Sequence, residues 1–243
     1  AENILAPQKR NPGLLMFNMS AQVQRVPFGV VGVIGPWNYP AFTPMGSIAY
    51  SLAAGNTVVF KPSEYTPRVG IWLGKSFDEI APFADIFTVI PGNPEIGRAL
   101  TQSEVNKISF TGSTKTAKIV AASCAERMIP VVLECGGKDP VIVAGDADVK
   151  LAAEYALWSG MANAGQSCIG AERVYVVNSV ADSFIAEITK MASQIHEGKD
   201  YGRATMPSQL NVIQSHINDA AARGARFALG GTDSVQGEYV KPT

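Results

Sequence analysis

The sequence predicts an α/β protein in which a parallel, helix-covered sheet is followed by a second α/β series. Three observations predict it. From about residue 26, short β-branched runs alternate with helix-like stretches; the runs are mainly apolar and bounded by Gly and Pro; and the alternation restarts after Gly136-Gly137. Continuous apolar runs mark strands buried on both faces, and strand–helix repetition implies right-handed crossovers between parallel strands.

Each element follows from its own pattern. Strands are expected at Val30-Val31-Gly32-Val33-Ile34, Thr57-Val58-Val59-Phe60, Phe87-Thr88-Val89-Ile90, Lys107-Ile108-Ser109-Phe110 and Val131-Val132-Leu133, with helices near 43–54, 66–80, 94–101 and 114–128 between them. The second series reads as a strand at Pro140-Val141-Ile142-Val143, a helix over 148–163 and a strand at Arg173-Val174-Tyr175-Val176-Val177. Helices near 181–196 and 207–224 follow, then the run Arg226-Phe227-Ala228-Leu229. The junction between the series sets domains at 26–134 and 135–243. Residues 1–25 fit neither series, and the alternation in Met16-Phe17-Asn18-Met19-Ser20 suits an edge strand or an arm.

Composition narrows the function classes. Of 243 residues, 47% are hydrophobic and 17% charged, and the formal charge of −1 is spread along the chain. No basic patch suited to a nucleic-acid backbone or an anionic membrane is present. Gly, Pro or a charge breaks every apolar run before it reaches the length of a membrane span. The opening Ala1-Glu2-Asn3-Ile4 lacks a charged region followed by an apolar one, so no secretory signal is expected. The cysteines, Cys124, Cys135 and Cys168, form no Cys-x-x-Cys pair, which argues for reduced thiols in a cytoplasm rather than a disulfide framework. His196 and His216 stand far apart on helix-like stretches and suggest surface positions, not a metal centre. The chain lacks an initiator Met and stops at Lys241-Pro242-Thr243 straight after an apolar stretch, so it reads as a segment of a longer protein.

In an open α/β sheet, ligands bind beyond the C-terminal ends of the strands. The first strand ends in Gly35-Pro36-Trp37-Asn38-Tyr39-Pro40, where the prolines fix the backbone and Asn38 can aim an amide N–H at a developing oxyanion; a plain Pro-rich turn packed by Trp37 explains it equally well. Lys61 and Glu64 close the second strand, as partners for ribose hydroxyls or as an exposed charge pair. An acid beside a ribose favours a free 2′-hydroxyl over a 2′-phosphate. After the fourth strand, Gly112-Ser113 permits a tight turn into a helix whose N-terminus offers N–H groups to a phosphate, although the full Gly-x-Gly-x-x-Gly fingerprint is absent. Glu134 closes an apolar strand, where desolvation would poise it to take up a proton as a general base; pairing with a nearby cation is the alternative. Cys168 sits in the small-residue loop Gly165-Gln166-Ser167-Cys168, and on local sequence alone it suits a packed thiol better than a nucleophile.

Taken together, Trp37-Asn38, Lys61/Glu64, Gly112-Ser113, Glu134 and Cys168 stand in the order and at the separations found in aldehyde dehydrogenases. The resemblance runs from Val26 onward, and it extends to the family's bacterial succinate-semialdehyde and broad-range branches. It implies a Rossmann-like cofactor domain followed by an α/β catalytic domain, both truncated, because the family's chains are about twice as long. It further implies an NAD-dependent enzyme, with NADP possible, that oxidises an aldehyde substrate and assembles as a homodimer or homotetramer. By resemblance, Cys168 is the nucleophile, Asn38 an oxyanion donor and Glu134 the base that activates water. Lys61 and Glu64 meet the adenine ribose, Gly112 and Ser113 the pyrophosphate, and Trp37 lies along the cofactor's path. Cys135 replaces the usual Leu where the backbone faces the nicotinamide, and Gln209 matches a further cofactor contact. Residues 1–25 match part of a bridging hairpin. Relatives that pass the acyl group to coenzyme A typically lack the Glu, so Glu134 favours hydrolysis. A non-catalytic, crystallin-like relative is the rival, but such a relative is expected to have lost one of Cys168, Glu134 and Asn38.

Overall fold

A computed structural model describes residues 2–81 and 85–243; residue 1 and residues 82–84, which fall in the expected arm and first domain, lie outside the described residues. The chain divides into two compact units, Ala1–Cys135 and Gly136–Thr243.

The first unit opens with the short helix α1 (Glu2–Leu5) and an antiparallel ladder of β1 (Gln8–Arg10) with β2 (Ala21–Val23). The alternating Met16–Ser20 stretch lies between these strands and not in one. Then follow β3 (Val30–Ile34), α2 (Phe42–Ala53), β4 (Thr57–Lys61), α3 (Pro67–Ile80), β5 (Phe87–Val89), α4 (Pro94–Gln102), β6 (Lys107–Gly112), α5 (Thr114–Glu126) and β7 (Val131–Cys135). The strands β3 to β7 form one parallel sheet in the order β5-β4-β3-β6-β7. Proline at the first turn starts α3 and α4, where its missing N–H costs nothing.

The central strand β3 shows why the runs are apolar throughout. Val31 and Val33 pack with Ile48, Val58, Phe60, Leu73 and Phe87 on one face, while Ile34 joins Leu100, Ile108, Phe110 and Val120 on the other. Two polar side chains pin the start of this strand. The buried Asn56 Oδ1 accepts from Phe28 N (2.6 Å) and Gly29 N (3.1 Å), while its Nδ2 donates to Ser51 O (2.9 Å). Asn106 Oδ1 accepts from Val30 N at 2.8 Å.

The second unit contains β8 (Asp139–Val143), α6 (Val149–Met161), a 3₁₀ turn at Ala162–Gly165, β9 (Ala171–Val176), α7 (Asn178–Ala192), α8 (Pro207–Ala222) and the hairpin β10 (Val235–Gln236) with β11 (Tyr239–Val240). The strands β8 and β9 pair in parallel. Their core joins Val143 to Ala153 and Ala156 of α6 and Phe184 of α7.

One expectation fails on burial. Val132 and Leu133 of β7 are exposed rather than sandwiched, and Ile142 and Tyr175 of the second unit are exposed as well. β7 is an edge strand, and β8 with β9 forms a sheet of two strands whose core lies on one face; an apolar run does not reveal which of its faces a helix covers. The run 226–229 forms neither helix nor strand.

Candidate active site

The strand order of the first unit reverses between β3 and β6, and the crevice beyond the carboxyl ends of such a pair is where doubly wound sheets hold ligands. The candidates of this unit gather at that edge. Trp37 and Asn38 are half-buried in the turn between β3 and α2. A hydrogen bond from Gly35 N to Lys61 O (3.0 Å) carries the β3–β4 ladder one residue further and aligns this turn with the end of β4.

Lys61 is buried, and its Nζ donates to Pro62 O at 3.0 Å and to Glu64 Oε2 at 3.1 Å, with 35% of the Glu64 side chain still accessible. The pair is therefore neither loose nor fully exposed. A buried ammonium requires such partners, and Glu64 neutralises the charge that β4 carries inward. Gly97 of α4 lies beside it, where an added Cβ would stand 3.6 Å from Lys61 Cδ, at ordinary van der Waals contact.

Ser113 caps α5, its Oγ accepting from Thr116 N at 3.2 Å. One orphan donor of the first turn is thereby satisfied, and the N–H groups of Thr114 and Lys115 are the ones a helix start presents to an anion. Gly112 serves differently from the tight turn expected of it. It ends β6 without a positive φ, and its value is space: a Cβ there would lie 2.6 Å from Cζ of the Phe110 ring.

On β7, Glu134 lies in register with Thr111 and Cys135 with Gly112. The desolvation expected for Glu134 is not met. Its side chain is exposed, because β7 is an edge strand whose neighbours Val132 and Leu133 are open as well. Cys135 is half-buried, packed against the cluster of Phe110 and Val120.

In the second unit, Cys168 is half-buried in a turn between the 3₁₀ segment and β9. Gly137 runs beside it, an added Cβ standing 3.7 Å from Cys168 O. The approach to the cysteine is strained. Asn163 (φ 54), Ala164 (φ 59) and Gly165 (φ 74) are left-handed in succession. For Ala164 that conformation costs about 1–2 kcal/mol. Sequence reasoning passed over Gln166, whose side chain bonds to Asn163 O (2.9 Å) and accepts from Thr205 N (2.8 Å). The available signal was a long amide among Ala, Gly and Ser. Gln209 is half-buried in the first turn of α8. Among the described residues, no group of His, Cys, Asp and Glu could hold a metal ion, and no helix is long and apolar enough to cross a membrane.

The first unit is a doubly wound parallel sheet with polar residues at its switch point, and the second carries a half-buried cysteine on a strained loop, which together define an α/β protein with a candidate thiol centre. The aldehyde dehydrogenase family model matches residues 7–243, and the chain belongs to that family. It is 37% identical over 252 residues to a putative NADP(+) succinate-semialdehyde dehydrogenase of Mycolicibacterium smegmatis, covering 100% of this chain and 48% of the relative. A crystal structure of an NADP-dependent enzyme from E. coli superposes with a TM-score of 0.92 at 33% identity, over 98% of this chain and 51% of that one. An indole-3-acetaldehyde dehydrogenase in complex with NAD+ gives a TM-score of 0.84 at 34% identity, over 89% and 46%. The chain thus spans about half the length of the relatives it matches.

Proposed function

We propose that the protein carrying this chain oxidises an aldehyde to a carboxylic acid with NAD(P)+ through Cys168. The observation that carries the reading is the Cys168 loop. Strained backbone persists only where its surroundings over-determine it, and it collects at reactive sites. Membership of the aldehyde dehydrogenase family supports aldehyde oxidation as the reaction class.

The Cys168 thiolate adds to the aldehyde carbonyl carbon and forms a thiohemiacetal. The Asn38 side-chain amide and the Cys168 N–H donate to the oxyanion. Bound NAD(P)+ supplies the acceptor for the hydride that leaves this carbon, so that Cys168 carries a thioester. Glu134 takes a proton from water, which attacks the thioester carbonyl, breaks the C–S bond and releases the acid and the Cys168 thiolate. The exposure of Glu134 suits that duty, since a base that activates water must be reached by it.

The donor set at the switch point fits a dinucleotide. The first-turn N–H groups of α5 with Ser113 suit the pyrophosphate, Lys61 and Glu64 the adenine ribose, and Trp37 and the Cys135 backbone the cofactor's further course. The ion pair bears on cofactor choice. A Glu64 held 3.1 Å from a buried ammonium repels a 2′-phosphate less than a lone carboxylate does. Use of both NAD and NADP follows, with NAD still favoured. Reduced thiols, as this chemistry requires, suit a cytoplasmic enzyme; its first unit is the dinucleotide-binding domain and its second the catalytic one, in a homo-oligomer by likeness to the family.

The test is Cys168→Ala in the full-length protein, assayed for NAD(P)H formation across a panel of aldehydes with each cofactor. Turnover should fall by about 10³-fold or more. Retained turnover refutes the reading. Formation of a coenzyme A thioester in preference to free acid would instead assign the chain to the acylating branch.

A further inference from the structure

We propose that Gln166 is a positioning residue that fixes the Cys168 loop against the segment leading into α8; this rests on the reading of Cys168 as nucleophile. The loop is held on one side by α6. Ala171 N donates to Ser159 Oγ at 3.0 Å, and the backbone packs so closely that added Cβ atoms on Gly165 and Gly170 would stand 3.2 Å from Gly160 O and 3.3 Å from Ser159 O. The other side faces the segment that leads into α8. There the Gln166 side chain reaches across 39 residues of sequence, its Oε1 accepting from Thr205 N at 2.8 Å. Its Nε2 donates to Asn163 O at 2.9 Å and points at Arg203 O at 3.5 Å.

The segment it grips is itself fixed. Ala204 N donates to Glu238 O at 2.8 Å, and Arg203 pairs with Glu238 at 3.0 Å. Two residues after Thr205 the chain enters α8, whose first turn holds Gln209. One amide therefore couples the residue two before Cys168 to the lead-in of α8, and it holds the carbonyl of a left-handed residue that would otherwise relax. An amide does both, whereas a carboxylate accepts without donating and a thioether is no more than a weak acceptor. Loss of the grip leaves the thiol present but off its line of attack, and such misplacement acts on kcat.

The experiment compares Gln166→Met and Gln166→Glu with the parent in the full-length protein, measuring kcat, KM for aldehyde and cofactor, and thermal unfolding. Gln166→Met should lower kcat by about 10- to 100-fold with KM held within about twofold. Gln166→Glu keeps the acceptor for Thr205 N–H and should recover the greater part of the loss. Unchanged kcat in Gln166→Met, or a fall in Gln166→Glu as deep as in Gln166→Met, overturns the proposal. Should Gln166→Met not fold, Gln166→Glu alone decides: kcat reduced about two- to tenfold at constant KM supports the role, and unchanged kcat overturns it. Cys168→Ala runs beside them. If it is dead while Gln166→Met is unaffected, only the positioning role falls; if it turns over, the nucleophile reading falls instead.

Discussion

Gly112→Ala tests whether packing behind the cofactor edge sets its geometry. The added Cβ would meet Phe110 Cζ at 2.6 Å and Cε1 at 3.3 Å, so the ring must retreat by about 1 Å to regain ordinary contact. It has little room, being 4% exposed and enclosed by Ile34, Leu100, Ile108 and Ala117. Forced overpacking of such a core costs about 1–3 kcal/mol. Taking about 2 kcal/mol, the melting temperature should drop by about 4–8 °C. If the ring does not yield, the strand end moves, and with it Ser113 and the first turn of α5. A loss of about 1.4 kcal/mol there weakens NAD(P)+ binding tenfold. Differential scanning fluorimetry and cofactor titration read the two quantities. Adding Phe110→Leu, which withdraws the far edge of the ring, should couple with Gly112→Ala by at least about 1 kcal/mol. A variant that melts within about 1 °C of the parent and binds cofactor equally well, or a strictly additive double variant, would refute the packing account.

Asn56→Ala removes three hydrogen bonds at the start of β3, with partners at 2.6, 3.1 and 2.9 Å, and should lower stability by about 2–3 kcal/mol in urea unfolding; a loss below about 1 kcal/mol would show that water replaces them. At alkaline pH a second effect emerges. Burial pushes the Cys124 thiol up from 9.0, with the Arg127 charge pulling the other way. The folded state then keeps a proton that the unfolded chain releases, so stability falls as pH rises above about 9. Burial likewise raises the Tyr201 phenol from 10.0, reinforced by Glu197 and Tyr239, and extends the decline above about 10. Cys124→Ala should flatten the slope between about pH 9 and 10, and parallel stability curves for the two proteins would contradict the assignment.

Much of the fold was legible because its punctuation is local. Pro67 and Pro94 start α3 and α4 where the pattern expects helices, and the runs at 30–34, 57–60 and 107–110 are strands with apolar residues on both sides, as read. Burial was less legible. Val132, Leu133 and Ile142 have the composition of sandwiched residues yet are exposed, because coverage depends on which helices return to which face. The Lys61–Glu64 pair shows the same limit in the site. Their spacing offered ribose ligands or an exposed charge pair, and it did not show that Lys61 would be buried with its ammonium paired to a partly exposed Glu64.

The Cys168 loop presents the opposite problem, since its local sequence argues against the conformation it adopts. Gly165 is the one residue of its left-handed stretch that a turn reading would choose; Asn163 tolerates the region, and Ala164 opposes it. Nothing in Asn163-Ala164-Gly165 supplies the compensation. It comes from residues that local reasoning leaves unconnected, in the hold of Gln166 on Asn163 O and Thr205 N. A sequence specifies a fold when its local and global preferences agree, and disagreement survives where function needs it. In this chain the disagreement falls four residues before the cysteine on which the proposed chemistry depends, at Ala164. Asn163, Ala164 and Met128 are the non-glycine residues with positive φ among those described, and Met128 sits just past the end of α5, where helices commonly close in this conformation. The loop therefore stands apart from ordinary turn chemistry, and the strain it carries is what the Gln166 grip restrains.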